Sequence, residues 1–259
     1  MIIFYKLITK MISVPEWFEQ FMASLFCLVA CWEPGKDFEK NFAIRQMSCF
    51  IVNVFQLFPN TTIRNYGLAF LQMDESVINI LEDQIPRFFR VFPYLEIMKN
   101  EGENFFTMCL NSNDHLFNWL YMFQTLVLTM LNKQGHNITI PTLNEMRTKF
   151  NPKDITKTDW GRPTWSVIHM TALYCPGGHE HFKVFHDMLS CLRYVLPCPK
   201  CRNHLAINLQ YIDFKNCGKD NDSGYNVELF KCTWQLHNIV NQSLQKPLIG
   251  FREALRLYS

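Results

Sequence analysis

The sequence lacks an excess of charge of either sign, an apolar run long enough to cross a membrane, and the biased composition of fibrous or low-complexity proteins. Its 25 Lys and Arg residues nearly balance 23 Asp and Glu residues, and the formal net charge of +2 gives no electrostatic reason to expect a nucleic-acid partner. The longest apolar stretches, residues 21–32 and 117–131, fall short of the roughly 18 to 20 residues that span a bilayer. We therefore predict buried helices there, with no membrane span and no nucleic-acid partner.

Residues 1–11 do not follow the pattern of a secretory signal. Residues 1–11 place Lys6 and Lys10 around a short apolar segment, but no small-residue cleavage pattern follows an adequate apolar region. We therefore assign no signal peptide. The cysteine count does not identify a compartment, because secreted proteins built on disulfides are usually much shorter than this chain.

Hydrophobic residues, aromatic residues and cysteines are abundant. Hydrophobic residues make up 48% of the 259 positions and charged residues 19%, which is enough apolar material for a packed core. The 23 Phe and 6 Trp residues suit such a core or a pocket for a flat cofactor. The 10 Cys residues raise the question of redox chemistry or metal binding.

Residues 1–150 are predicted to form a helical N-terminal domain of unknown role. Apolar residues recur there at helical spacing over 42–58, 77–81 and 117–131, whereas strand-like alternation is scarce. Residues 132–159 are rich in Gly, Asn, Pro, Lys and Thr, with only weak helical periodicity. This segment is the predicted domain boundary.

Residues 156–259 are predicted to form a second domain. Its apolar periodicity and its turn residues delimit four helices, with Thr158 and Asp159 as candidate N-caps of the first. The four helices cover approximately residues 160–172, 182–195, 198–209 and 226–244. Because short connections join them, we predict a four-helix bundle and an all-α fold for the whole chain.

The strongest local motif is the pair Cys198 and Cys201, within the segment 197–202. Two cysteines three positions apart at a helix start can form a disulfide, and the helix N-terminus with Lys200 and Arg202 would favour a thiolate. The alternatives are half of a zinc site or an inert structural pair. No second CxxC or HxxxH pattern follows, so we favour a redox pair and predict no metal.

A second cluster lies in residues 160–174. Arg162, Trp165, His169 and Tyr174 would offer a cation, flat faces and hydrogen-bonding groups to an aromatic, anionic ligand. The alternative is that Trp165 belongs to the core and that His169 is a buried histidine with satisfied hydrogen bonds.

A third cluster contains His237, Asn238 and Asn241, followed by Lys246. Asn238 and Asn241 are neighbours on a helix face, where their amides could read the edge of a base while His237 stacks on it. Asparagine is a mediocre helix former, so two in one turn need a reason. The alternative is a solvated polar face.

The three clusters together resemble the Erv/ALR family of FAD-dependent sulfhydryl oxidases. The matching segments are Trp160–Trp165 with His169 and Tyr174, Cys198–His204, and His237–Asn241 with Lys246 and Pro247. The resemblance covers roughly residues 156–250, and the conjunction in this order is far more specific than any single motif. A helical domain fused before it is similar to the arrangement in sulfhydryl oxidases of large DNA viruses, including baculoviruses and nudiviruses.

The resemblance implies a bundle of four helices plus a short fifth helix that holds FAD noncovalently. It implies that Cys201 lies next to the flavin and that Cys198 forms a mixed disulfide with thiol-containing protein substrates. Electrons would then pass to FAD and to O₂, giving H₂O₂. The residues implied to hold the cofactor are Trp160, Arg162, Trp165, His169, Tyr174, Cys201, His204, His237, Asn238, Asn241 and Lys246. The resemblance also implies a homodimer and, for a viral protein, a location in the infected host cell, with the virion as a candidate.

The sequence departs from the family at a structural disulfide. Trp234 occupies the position of one cysteine of that disulfide in many relatives, and no cysteine follows Pro247, so we predict that this bond is absent. Cys232 is then expected to be a free thiol that packs as a small apolar group.

Relatives often carry a second, shuttle dithiol. Cys27 and Cys31 are the nearest candidates, but their neighbours are hydrophobic and a shuttle must be exposed, so we predict that they are buried. Cys217 lies in a hydrophilic segment without a nearby mate. Two other functions stay open at this point: a catalytically silent helical dimerisation scaffold that retains the bundle, and a zinc-binding interaction module.

Overall fold

The computed structural model describes residues 13–33, 35, 37–72, 105–212, 214 and 225–258. Every regular element within these ranges is helical, which confirms the predicted all-α fold. The helix predicted at 77–81 and the residue Cys217 lie outside the described residues.

Among the described residues, the N-terminal part contains the helices predicted around residues 21–32, 42–58 and 117–131, and three more. Its helices are α1 (Val14–Ala30), α2 (Asp37–Gln56), α3 (Thr61–Leu71), α4 (Phe105–Cys109), α5 (Asn113–Lys133) and α6 (Leu143–Lys149). The C-terminal part contains α7 (Lys157–Leu173), α8 (His179–Val195), α9 (Pro199–Asn208), α10 (Val227–Ser243) and α11 (Phe251–Tyr258), with a 3₁₀ turn at Leu209–Tyr211.

Local capping explains where several of these helices begin and end. Ser13 and Glu16 form a capping box at the start of α1, in which the Ser13 backbone N–H donates to the Glu16 carboxylate at 3.0 Å. Thr142 and Glu145 do the same for α6. Gly135 follows α5 with a φ of 95°, a left-handed conformation that favours glycine.

Aromatic side chains build the core of the N-terminal part. The ring of Phe55 on α2 lies 4.5 Å from that of Phe123 on α5, and the ring of Phe21 on α1 lies 4.6 Å from that of Phe58. A Cβ at Gly67 of α3 would come within 2.9 Å of the Phe55 ring, so glycine allows α3 to approach α2 closely. Removing one such buried ring typically destabilises a protein by about 3–5 kcal/mol.

The two predicted domains share one hydrophobic core. Helix α1 packs on α7 and α2 packs on α8, and buried residues from both parts belong to the same apolar cluster. The rings of Phe42 on α2 and Tyr194 on α8 also pack perpendicular to each other, with their centroids 4.9 Å apart. The boundary between residues 150 and 156 stays a prediction.

The C-terminal part is a bundle of α7, α8, α9 and α10, as predicted. Helix α7 packs on α10, α8 packs on α9, and α9 packs on α10. The short α11 packs on both α7 and α10 and is the fifth helix. No helix among the described residues combines the length and the apolar composition needed to cross a membrane.

Helix α7 begins at Lys157, three residues before the predicted start at about residue 160. Thr156 is its N-cap, and the Asp159 carboxylate accepts hydrogen bonds from the Thr156 backbone N–H at 2.7 Å and from its hydroxyl at 2.6 Å. These hydrogen bonds lower the pKa of Asp159 below its ordinary value. Asp159 therefore caps from the third helical position, and the prediction of Thr158 and Asp159 as N-caps is wrong.

Candidate active site

The first wall of the site is a stack of flat side chains between α7 and α10. The rings of Trp165 on α7 and His237 on α10 lie 4.0 Å apart and within 5° of parallel. His169 lies one turn further along α7, and its Nε2 is 2.9 Å from Nδ1 of His237. Residues 72 positions apart in sequence thus form one continuous face because the helices that carry them pack together.

A chain of hydrogen bonds determines the tautomers of both histidines. The Thr233 hydroxyl donates to the Phe230 carbonyl at 2.8 Å, so it accepts from His169 Nδ1 at 2.9 Å. His169 Nε2 then has to accept a hydrogen bond from the N–H at His237 Nδ1, which leaves His237 Nε2 as an acceptor. The protein therefore presents His237 to the site in one tautomer.

Both imidazoles are held neutral. Burial lowers the pKa of His169 well below its ordinary value, and His237 lowers it further. Burial lowers the pKa of His237 to about 4, and the charge of Lys246 adds to this effect. At neutral pH the stack therefore carries no charge of its own, which suits the uncharged aromatic ring of a ligand.

The second wall carries the dithiol at the start of α9. Cys198 is the N-cap of α9, Pro199 occupies its first position, and the Cys201 backbone N–H donates to Cys198 Sγ at 3.2 Å. Cys198 and Cys201 form a disulfide with their Cα atoms 5.1 Å apart. On reduction, the positive end of the α9 dipole would stabilise a thiolate at this position.

The end of α10 and the segment after it form the third wall. The Asn238 side chain makes two hydrogen bonds with the backbone of Ile249, donating to the carbonyl at 2.9 Å and accepting from the N–H at 3.0 Å. The Trp234 indole N–H also donates to that carbonyl, at 2.7 Å. The Lys246 backbone N–H donates to the Asn241 carbonyl at 2.8 Å. These bonds hold residues 246–249 against α10 and place Lys246 at the site.

The three walls enclose a cleft of about 370 Å³, a volume within the range of small-molecule sites. Its apolar lining comes from Trp160, Trp165, Ile168, Leu192, Leu196, Leu205, Val240 and Leu244. Its cationic lining comes from Lys157, Arg162, Lys200 and Lys246, and the described lining contains no Asp or Glu. The cleft therefore suits a flat aromatic molecule with an anionic group, and its dithiol gives it a redox centre.

A sequence model of the Erv1 / Alr family matches residues 162–256, the segment that supplies most of this cleft. Residues 162–256 form an Erv1/Alr family domain. No solved structure matches the chain significantly.

Curated relatives of this Erv1/Alr domain occur in viruses and in a plant. An African swine fever virus protein named FAD-linked sulfhydryl oxidase is 29% identical over 103 residues, which cover 38% of this chain and 79% of the relative. A probable FAD-linked sulfhydryl oxidase of Acanthamoeba polyphaga mimivirus is 32% identical over 98 residues, covering 37% and 66%. A rice FAD-linked sulfhydryl oxidase is 28% identical over 98 residues, covering 36% and 46%. The matched segments all cover less than half of this chain.

The Erv1/Alr domain brings most of the sequence-predicted site residues to the cleft. Those that line it are Trp160, Arg162, Trp165, Cys201, His204, His237, Asn241 and Lys246. His169 lies behind the lining, where it is 1% exposed and orients His237. The Asn238 amide hydrogen-bonds to the Ile249 backbone and does not line the cleft. Tyr174 lies beyond the end of α7, where its ring packs 5.4 Å from that of Tyr225, so it contacts a different part of the domain.

Two polar residues of the described cleft lining are not among those that the sequence analysis names. Lys157 adds positive charge, and Tyr258 closes the site from α11, with its ring 4.7 Å from that of His169. Lys200, which the sequence analysis names only for its effect on the thiolate, also lines the cleft. Nothing in the sequence signals Tyr258, because its place depends on how α11 folds back over α7.

The other cysteines that the structure describes are buried free thiols, half-buried free thiols and one disulfide-bonded residue: Cys27, Cys109, Cys175 and Cys191 are buried, Cys31 and Cys49 are half-buried, and Cys232 is disulfide-bonded. Cys27 is 2% exposed, as predicted, while Cys31 is half-buried. Burial raises the pKa of Cys27 to about 12, so its thiol stays protonated. Cys232 is disulfide-bonded, and the prediction that it is a free packing thiol is wrong.

Proposed function

We propose that this chain is an FAD-linked sulfhydryl oxidase that forms disulfides in thiol-containing proteins. The observation that carries the proposal is the position of Cys201, because one cysteine of a disulfide lines the same cleft as the neutral Trp165–His237 stack. A redox dithiol beside a site for a flat molecule is the arrangement that flavin-dependent thiol oxidation needs. The names of the relatives support the same activity.

The residues of the cleft fit FAD by their chemistry. Trp165 and Trp160 offer flat apolar surfaces to aromatic rings, while Arg162 and Lys246 offer charge to a pyrophosphate. The bare Nε2 of His237 can accept a hydrogen bond from a ligand N–H. The absence of carboxylates from the described lining removes a source of repulsion for an anionic cofactor.

The exchange step uses Cys198 as the attacked sulfur. A substrate thiolate attacks Cys198 Sγ, the Cys198–Cys201 bond breaks, and Cys201 leaves as a thiolate that the α9 N-terminus and the nearby Lys200 stabilise. A second substrate thiolate then attacks the substrate sulfur of this mixed disulfide and releases Cys198. The substrate gains a disulfide, and the enzyme dithiol carries the two electrons.

The choice of Cys198 for the attack rests on access. Cys201 is part of the cleft lining and Cys198 is not, so a protein thiol can approach Cys198 from outside without entering the cofactor site. When bound, FAD supplies the acceptor that reoxidises the dithiol and the route by which the electrons reach O₂ as H₂O₂.

The proposed homodimer has to avoid two surfaces. The faces of α7 and α8 that contact α1 and α2 are buried within the chain and are not available to a second copy. A dimer of this chain would therefore use other parts of the bundle or of the N-terminal part.

The absorption spectrum of the purified full chain tests the proposal. We expect a flavin spectrum that bleaches on anaerobic addition of dithiothreitol, and thiol-dependent O₂ consumption in air. Cys201→Ser should retain the flavin but lose turnover, whereas Cys49→Ser, a control outside the cleft, should keep both. Bound flavin without turnover in the wild-type protein would indicate the silent scaffold, and a folded protein that retains no flavin would exclude the oxidase.

A further inference from the structure

The helix that carries the cleft residues Trp160 to Trp165 contains a proline. Pro163 has no N–H, so it cannot donate the helical hydrogen bond to the carbonyl of Asp159, four residues earlier. The Cys27 thiol of α1 donates to that carbonyl at an Sγ–O distance of 3.5 Å. A donor from the N-terminal part thus replaces the one that the proline removes.

The raised pKa of Cys27 agrees with this role. The thiol can donate only while it is protonated, and burial keeps it protonated throughout the physiological range. The same burial makes it a poor shuttle, because Cys27 is 2% exposed and its thiolate is strongly disfavoured.

A second hydrogen bond joins α1 to Thr164, the residue that follows Pro163 in α7. The Thr164 hydroxyl donates to the Trp160 carbonyl at 2.6 Å, so the Ser24 hydroxyl donates to Thr164 across a buried distance of 3.0 Å. Ser24 is 0% exposed and Thr164 is 4% exposed. Ser24 and Cys27 are three residues apart, which puts them on the same face of α1.

Ser24 and Cys27 contact the first turns of α7, and residues of these turns line the cleft. Trp160, Gly161, Arg162, Thr164 and Trp165 all contribute to the cleft, and the proline between them interrupts their helical hydrogen bonds. We propose that Ser24 and Cys27 are positioning residues for the flavin site, through which the N-terminal part of the chain sets the geometry of the first turns of α7. This inference rests on the proposed function for the identity of the ligand.

The test compares FAD affinity in full-length variants. Ser24→Ala should raise the FAD dissociation constant about fivefold, the effect of one net hydrogen bond, and Cys27→Ala about threefold, because a thiol is a weaker donor. Cys27→Ser keeps a donor and should restore most of the lost affinity. Cys31→Ala is the matched control, since it removes a thiol four residues further on, at the C-cap of α1, and it should leave the dissociation constant unchanged.

The same substitutions in a Pro163→Ala variant distinguish a positioning role of Cys27 from a general packing role. Pro163→Ala returns a backbone N–H that can bond to the Asp159 carbonyl, so Cys27→Ala should have no further effect on FAD affinity in that background. Ser24→Ala should still weaken binding there. An equal effect of Cys27→Ala in both backgrounds, or wild-type affinity in both single variants, would overturn the proposal. So would losses that simply follow the melting temperature of the FAD-free protein and appear equally in Cys31→Ala.

Amide hydrogen exchange in the FAD-free protein distinguishes failure of this inference from failure of the proposed function. Ser24→Ala and Cys27→Ala should speed exchange at residues 160–166 while exchange in α10 stays at the wild-type rate. A wild-type protein that binds no FAD would overturn the proposed function even if exchange responds as expected. Unchanged exchange at residues 160–166, in a wild-type protein that does bind FAD, would overturn the positioning role alone.

Discussion

The neutral pair His169 and His237 makes the stability of this protein depend on pH in a defined direction. Burial lowers the pKa of both imidazoles, so both are uncharged in the folded protein at neutral pH. In the unfolded chain a histidine titrates at its ordinary value of 6.5. The folded state is therefore favoured above pH 6.5, and this advantage is lost as the pH falls from 6.5 towards the folded pKa of His237, about 4.

The loss of unfolding free energy at pH 5 can be calculated from the folded and unfolded pKa values of His237. The imidazole would be about 97% protonated in the unfolded chain and about 9% protonated in the folded protein, which corresponds to a loss of about 2 kcal/mol of unfolding free energy relative to pH 7.5. His169 acts in the same direction, because burial lowers its pKa as well. The loss is a large part of the 5–15 kcal/mol typical of a folded domain.

Urea unfolding of the wild-type protein and of His237→Gln at pH 7.5 and pH 5.0 measures this effect. The glutamine amide can still donate to His169 Nε2 but does not titrate, so the pH-dependent loss should shrink by about 2 kcal/mol in the variant. His136→Gln, an exposed histidine outside the cluster, controls for the removal of an imidazole. An identical pH dependence in the wild-type protein and in His237→Gln would refute the reasoning.

Three further predictions concern the cleft. Cys198→Ser and Cys201→Ser should each abolish thiol-dependent O₂ consumption while the visible spectrum still shows bound flavin, and wild-type turnover in either variant would contradict the assigned roles. Trp165→Ala removes one face of the stack with His237 and should weaken FAD binding at least about fivefold in a fluorescence titration, since an aromatic pair contributes about 0.5–1.5 kcal/mol beyond its buried area. Asn238→Ala removes both hydrogen bonds to Ile249 and should weaken FAD binding about tenfold while exposing the segment after α10 to proteolysis. Unchanged flavin affinity and unchanged cleavage would show that this segment does not depend on Asn238.

Much of the helical architecture was predictable, because local signals determine it. The apolar spacing over 42–58 and 117–131 corresponds to α2 and α5, and Gly135 follows the end of α5 with a positive φ that glycine adopts freely. The predicted start of α7 is wrong because Asp159 is typical of a cap that precedes a helix, whereas its carboxylate here caps from inside the first turn. Threonine and aspartate occur both as N-caps and within the first turn of a helix. The order of these residues in the sequence therefore does not show which of the two roles Asp159 has.

The candidate site was predictable as a set of residues but not as a surface. The motifs nominate Trp165, His169 and His237 together, yet only the rotation of α7 and α10 within the bundle decides that Trp165 and His237 line the cleft while His169 lies behind them. The same holds for Tyr174, which the end of α7 carries away from the cleft.

Periodicity, capping and motif spacing are properties of neighbours along the chain, so they are enough to predict most of the long helices, the CxxC pair at the start of α9 and the types of side chain available to a flat anionic ligand. The contacts of Ser24 and Cys27 of α1 with the proline-interrupted turn of α7, and the position of Tyr258 at the cleft, emerge only when the helices pack. These contacts join residues more than 80 positions apart. Their geometry depends on how whole helix faces pack, which no local pattern encodes.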